Sequence, residues 1–353
     1  MALAAALFAL LLRGGAALGL SLALAVPGTE TWLAPLHDHV EIEEISVVAD
    51  GRRLVADLYR PPAPRSALLL VHGLSRFGRR HPELVRLARI LARHGTLVLV
   101  PQLDGLAAFR LTGAEVDDID AWLTALAACS PRVGVAGFSF GAGPALIAAA
   151  RQPDLVLTGS FGGYADLSDV IRYLTTGVHD HGRRYVQPPE EYNRWKLLAL
   201  LVGLVTDDRD RDLLTRIAKR KLVDPGEDTR ALEAQAGPEG RAVLALVLNR
   251  READVTPLLA ALPSGARTAI SALSPLAVVP RLPGRLLIAH GAGDASIPFT
   301  ESLRLADASN GRARALILET FSHTGPLPFW QSLGARARDS LRLLQLADAL
   351  VAR

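Results

Sequence analysis

Residues 133–143 read V-G-V-A-G-F-S-F-G-A-G. An apolar run of strand character meets a serine set between glycines, and small residues of helical character follow. Gly137-Phe138-Ser139-Phe140-Gly141 fits G-x-S-x-G in a strand–turn–helix setting. The pattern has a steric reason. A side chain mounted on so tight a turn carries strained backbone angles, and only small residues two positions either side avoid the neighbouring strand and helix. Such a turn lifts the serine hydroxyl clear of a sheet. It also sets it at a helix N-terminus, which stabilises developing negative charge.

The flanking sequence repeats this alternation. Ala67–Val71, Thr96–Val100, Arg132–Ala136 and Leu155–Thr158 are apolar runs suited to buried parallel strands. Helical spacing of apolar residues separates them at 81–94, 114–128 and 142–150. Val40–Val48 and Arg53–Tyr59 flank Ala49-Asp50-Gly51, a hairpin signal. From residue 165 to 275 the strand signal disappears and the pattern is helical. Strands resume at Arg285–Ala289 and Ala313–Leu318, and a helix over 329–351 closes the chain. This order predicts an α/β fold, a mostly parallel twisted sheet covered by helices on both faces, with a helical insert. The expected division is a core in two parts, 27–165 and 276–353, around an insert at 166–275.

A chain of 353 residues that is 50% apolar can bury a large core. Positive charge is almost all arginine; the lysines are Lys196, Lys219 and Lys221. The net charge is only +3 and no basic stripe is interleaved with aromatics, which argues against a nucleic-acid partner. Cys129 is the single cysteine, so no intrachain disulfide and no cysteine-based metal site can form. Its place in L-T-A-L-A-A-C-S suggests the end of a buried helix face. His37-Asp38-His39 and His179-Asp180-His181 read as polar loops rather than metal sites. No G-x-G-x-x-G follows a strand with an acid about twenty residues on, so no nucleotide cofactor is expected, and no metal.

Met1–Val26 is nearly all apolar, with Arg13 its only charge. It reads as a membrane-spanning helix interrupted by Arg13-Gly14-Gly15, or as an export signal ending at Ala23-Leu24-Ala25. An arginine near mid-bilayer costs roughly 2.5–3.5 kcal/mol, which weighs against the first. The twelve residues before Arg13 weigh against the second. A buried amphipathic segment is the third reading, and the lack of polar periodicity over so long a strip weighs against it. The segment therefore implies membrane association or export and is expected to stand outside the fold.

A serine hydroxyl reacts only when a base takes its proton. His323 lies in L-I-L-E-T-F-S-H-T-G-P, just past the last strand, and is the candidate base. Asp294, in L-L-I-A-H-G-A-G-D-A-S-I-P, lies just past the preceding strand and is the candidate acid to orient it. Both fall beyond the carboxyl ends of strands, where open α/β sheets place ligands. His290 ends a strand only four residues before Asp294 and reads as a packed or hydrogen-bonded residue.

On these residues the chain resembles the α/β-hydrolase superfamily. The resemblance covers residues 40–165 and 270–350 and rests on His72-Gly73, G-F-S-F-G, H-G-A-G-D-A-S-I-P and S-H-T-G-P. Within the superfamily it is most similar to dienelactone-hydrolase-like and prolyl-oligopeptidase-like serine esterases. Pro101-Gln102-Leu103-Asp104-Gly105 departs from the fuller polar loop common after that strand. The insert at 166–275 matches the position of the family's cap. The resemblance implies an acyl-enzyme mechanism with Ser139 as nucleophile, His323 as base and Asp294 orienting it. The backbone N–H groups of Leu74 and Phe140 would form the oxyanion hole, with His72 shaping that loop. Asp166 is the rival acid, since some relatives carry it after the earlier strand. The apolar runs at 195–205 and 242–248 read most simply as the cap's own core against the sheet. Read functionally, as an apolar acyl pocket or a surface that touches membrane, they make the expected substrate a small ester with an apolar acyl part. A peptidase or acyltransferase with the same triad, or a non-catalytic membrane-tethered binding protein, is the alternative.

Overall fold

The computed structural model describes residues 15, 17–23, 39–319 and 333–351. His323, His37, Asp38 and most of Met1–Val26 lie outside the described residues.

The first six strands are β1 (Glu41–Ala49), β2 (Arg52–Arg60), β3 (Ser66–Val71), β4 (Thr96–Pro101), β5 (Val133–Phe138) and β6 (Leu157–Phe161). Inside the insert come β7 (Val178–His181) and β8 (Arg183–Val186), and after it β9 (Arg285–Gly291) and β10 (Ala315–Leu318). Eight strands form one sheet in the order β1-β2-β4-β3-β5-β6-β9-β10. Only β2 runs against the others, pairing antiparallel with β1 and β4. The parallel strands β3, β5, β6, β9 and β10 therefore deliver their carboxyl ends to one edge.

The apolar runs alternate between two cores, as the two-residue period of a strand requires. Ala67, Leu69, Val71, Leu97 and Leu99 face one core, shared with Trp122 and Leu146 of the helices Ala114–Ala127 and Ala142–Ala149. Leu68, Leu70, Val98 and Val100 face the other, shared with Leu84 and Leu91 of the helix Pro82–Arg93 and Ala347 of the helix Leu333–Val351.

Three findings differ from the sequence reading. Residues 17–23 are helical and belong to the fold: Ala17, Leu20 and Ala23 are buried. Leu20 and Ala23 join the second core. Ser21 Oγ donates to Ala17 O at 2.7 Å and reaches Leu343 O at 3.4 Å, and Arg86 donates to Ala23 O. The spacing 17, 20, 21 is that of one helix face, which the uniform apolarity of the segment had masked. Among the described residues no helix is long and apolar enough to cross a membrane. Cys129 is exposed rather than buried, because the helix stops at Ala127 and its buried stripe ends at Leu126.

The third difference lies in the insert. It is not purely helical: β7 and β8 form an antiparallel hairpin through Gly182. His179-Asp180-His181 is thus a strand and not a loop. His179 is buried against Tyr173, Tyr185 and Phe299, with Nδ1 3.1 Å from Thr300 Oγ1. Asp180 pairs with Arg172 and Arg304, and His181 Nε2 sits 2.7 Å from Asp307 Oδ2. The helices Glu191–Val202, Asp208–Val223 and Pro238–Leu248 complete the insert's core. Arg194, 1% exposed, closes it by donating to Val247 O, Asn249 O and Thr175 O.

Candidate active site

Ser139 follows β5 immediately and has φ of 52°, a left-handed conformation unusual for a residue with a Cβ. A short 3-10 turn, Ser139–Gly141, leads into the helix Ala142–Ala149, so the serine stands at that helix's N-terminal end. The glycines either side are sterically required. A Cβ on Gly137 would strike Ala142 Cα, and one on Gly141 would strike the carbonyl oxygen of His72. The loop after β3 crosses directly over the serine: a Cβ on Gly73 would come within 2.8 Å of Ser139 Cβ and 3.3 Å of its Oγ.

His72 builds that loop. Its Nε2 accepts the Leu103 N–H at 3.1 Å, which leaves Nδ1 to carry the proton and donate to Gly73 O at 2.8 Å. Both ring nitrogens are thereby occupied in the neutral form. Burial pushes the imidazole down to about 4. A proton-transferring histidine would need a free nitrogen facing the pocket; His72 has none to offer.

Asp294 lies three residues past β9 and is 2% exposed. Its Oδ1 accepts the N–H groups of Ser296 at 2.8 Å and Ile297 at 3.0 Å, which fixes the carboxylate plane. The Tyr173 hydroxyl donates to the Asp294 carbonyl at 3.3 Å. His290 is buried beside it. Its Nε2 donates to Ile297 O at 2.9 Å and lies 3.4 Å from Asp294 Oδ2, while Nδ1 meets Ser302 Oγ at 2.7 Å. Asp166 has a different task. It caps the helix Leu167–Thr176, its Oδ1 accepting from Ser168 N at 2.7 Å.

Ser139, Asp294, Leu74 and His72 line one pocket of about 330 Å³. The insert contributes Lys196 to the same pocket, and the helices Pro82–Arg93 and Leu333–Val351 contribute leucines. No group of three or more metal-ligating side chains converges among the described residues.

No protein-family model and no curated protein matches the sequence. Solved structures do match the fold. The α/β-hydrolase GrgF from Penicillium sp. sh18 aligns with a TM-score of 0.53 at 14% identity over 88% of this chain and 99% of that one. A puromycin-hydrolyzing peptidase of Mycobacterium tuberculosis aligns at 0.50 and 18% identity, over 89% of this chain and 39% of that one. An acylaminoacyl peptidase of Pyrococcus horikoshii aligns at 0.50 and 13% identity, over 92% and 43%. The chain thus spans about two fifths of either peptidase. The chain has the α/β-hydrolase fold.

In that fold the structure brings Ser139, Asp294 and Leu74 together at the carboxyl edge of the sheet and buries Phe140 beside them. It sets Asp166 to helix capping. The sequence reading did not single out Lys196, His81, Glu83 or Arg86, all of which line the pocket. For Lys196 a signal existed, since a lysine is rare in this arginine-rich chain.

Proposed function

We propose that the protein is a serine hydrolase that cleaves carboxylic esters through an acyl-enzyme, with Ser139 as nucleophile, His323 as base and Asp294 orienting it. One observation carries the reading. A non-glycine residue is held at positive φ at the head of a helix, inside a largely apolar pocket that also holds a buried, backbone-oriented carboxylate. Strain of this kind costs about 1–3 kcal/mol and persists where the surroundings over-determine it.

Ser139 Oγ attacks the ester carbonyl carbon as His323 takes its proton. The carbonyl oxygen becomes an oxyanion, held by the N–H groups of Leu74 and Phe140, each such donor supplying about 2.7–4 kcal/mol of transition-state stabilisation. Collapse breaks the bond to the alcohol oxygen, which receives the proton from His323. Water repeats the sequence and releases the acid. The close passage of Gly73 over Ser139 supports the donor role of Leu74, because it brings that loop's backbone to the reacting centre.

Labelling with a fluorophosphonate, read by intact mass, tests the assignment. A single adduct is expected on the wild-type chain and none on Ser139→Ala. An adduct on both, or on neither while both are folded, removes Ser139 as an activated nucleophile. An ester and peptide panel then sets the leaving group.

A further inference from the structure

The pocket around Ser139 has an unlike lining. The helix Pro82–Arg93 brings Leu84 and Leu87, with Glu83 and Arg86, and the helix Leu333–Val351 brings Leu343, Leu346 and Leu350. The insert's helix Glu191–Val202 sends in a single cation, Lys196.

Lys196 is held in place and only partly matched. Its Nζ reaches Ser296 Oγ at 3.4 Å, and Ser296 in turn bonds Asn193 Oδ1 at 3.1 Å. Asn193 also donates to Ala295 O at 2.9 Å, so two residues on one face of the helix fasten the insert to the Asp294 loop. The Tyr192 ring lies 5.3 Å from Nζ. None of these described contacts is a carboxylate, whereas the pocket's other alkyl-stemmed cation, Arg86, has Glu83 at 3.5 Å. Burial lowers the Lys196 ammonium from its ordinary value against the pull of Asp294 and Glu190. A partly desolvated ammonium without a contacting counter-ion gains most when an anion arrives beside it.

Resting on the serine-hydrolase reading, we propose that Lys196 is a specificity-determining residue that selects esters bearing a carboxylate, with their aliphatic chain lying among the pocket's leucines. A carboxylate fits better than a phosphate because Lys196 offers one point charge, and a dianion calls for a larger donor set. The ester bond of such a substrate lies between its charged and apolar ends, and Ser139 lines the same pocket as Lys196 and the leucines.

The test uses full-length wild type, Lys196→Met and Lys196→Arg on two matched ester pairs. One pair carries the charge on the acyl side, mono-4-nitrophenyl adipate against 4-nitrophenyl hexanoate. The other carries it on the alcohol side, 4-hexanoyloxybenzoate against its methyl ester. In wild type, kcat/KM is expected to favour the charged member of one pair by about tenfold or more, through KM. Lys196→Met should reduce that charged-to-neutral ratio by about the same factor, and Lys196→Arg should retain part of it. No preference in either pair, or a ratio that Lys196→Met leaves unchanged, overturns the proposal. The second result would mean that Lys196 only balances Asp294, since both esters would then lose rate together. Fluorophosphonate labelling separates the two levels. Wild type that labels at Ser139 and turns over neutral esters without charge preference defeats this inference alone; wild type that neither labels nor turns over any ester defeats the hydrolase reading itself.

Discussion

The serine turn and the insert are built on opposite principles. The turn is specified by steric exclusion: Gly137 is small because Ala142 leaves no room, Gly141 because the His72 carbonyl of the loop after β3 does, and Gly73 because Ser139 does. The insert is closed by polar side chains reaching far along the chain. Arg194 donates to carbonyls 53, 55 and 19 residues away, and Asp210 accepts the N–H groups of Gly237 and Gly240, 27 and 30 residues away. A steric rule that demands glycine leaves a signature in a five-residue window. A polar clamp leaves only a charged residue among others, Arg194 in E-E-Y-N-R-W-K and Asp210 in D-D-R-D-R-D, with no pattern to mark it.

The two candidate acids divide along this line, and they give the largest expected effect. Asp294 belongs to the core's carboxyl edge; Asp166 opens the insert as a helix cap. Asp294→Asn keeps an oxygen for the N–H groups of Ser296 and Ile297 but presents the wrong partner to a histidine, so kcat should fall about 10⁴-fold. Asp166→Asn should leave kcat near wild type and stability nearly unchanged, because asparagine caps helices about as well as aspartate. Steady-state kinetics on one ester decides between them; the reverse pattern would move the acid to Asp166.

Glycine substitutions give the next effect. In Gly141→Ala the added methyl meets a backbone carbonyl that cannot step aside. Overpacking of this kind costs about 1–3 kcal/mol, and the strained serine should lose activity with it. Gly265, in the insert's helix Ser264–Ala272, has nothing within 4 Å of an added Cβ. Gly265→Ala should leave the urea midpoint unchanged or raise stability by up to about 1 kcal/mol. Equal losses in both variants would contradict the distinction between the two regions.

The same contrast explains what was legible. The buried strands β3, β4, β5 and β9 announce themselves as short apolar runs, and the reading placed each within two residues of its observed limits. The serine turn and the position of Asp294 past β9 were equally plain, because each follows from where a parallel strand ends. The β7–β8 hairpin was hidden. Its strands are four residues each and carry H-D-H and R-R-Y, polar sequences whose pairing depends on Tyr173, Phe299, Arg172 and Arg304 from other elements. Lys196 was hidden for a related reason. Within W-K-L-L-A-L-L-V it reads as one polar step on an apolar helix, and only the tertiary fold shows that this step faces Ser139's pocket.

The smallest effect compares a histidine from each region. Burial holds both His72, under the serine turn, and His179, in the insert's hairpin, down at about 4. Each ordinary value is near 6.5, so as pH falls below 6.5 the unfolded chain binds protons that the folded chain refuses until about 4. The stabilisation is complete above 6.5 and is lost as pH drops toward 4, at up to about 1.4 kcal/mol per pH unit for each histidine. Buried Glu301, which burial raises to about 8, pulls the other way in this window, its stabilisation growing as pH falls toward 4.5. Urea unfolding between pH 6.5 and 5.5 should therefore show His72→Gln and His179→Gln each losing less stability with falling pH than wild type. The two differ in kind. Gln at His72 must replace a ring that bridges the Leu103 N–H and the Gly73 carbonyl, so its loss should also lower turnover. At His179 the contacts are Thr300 and three aromatic rings, so turnover should change less. A slope untouched by either substitution would mean that other groups govern the acid limb. Equal losses of turnover would mean that the insert's hairpin shapes the site as directly as the turn does.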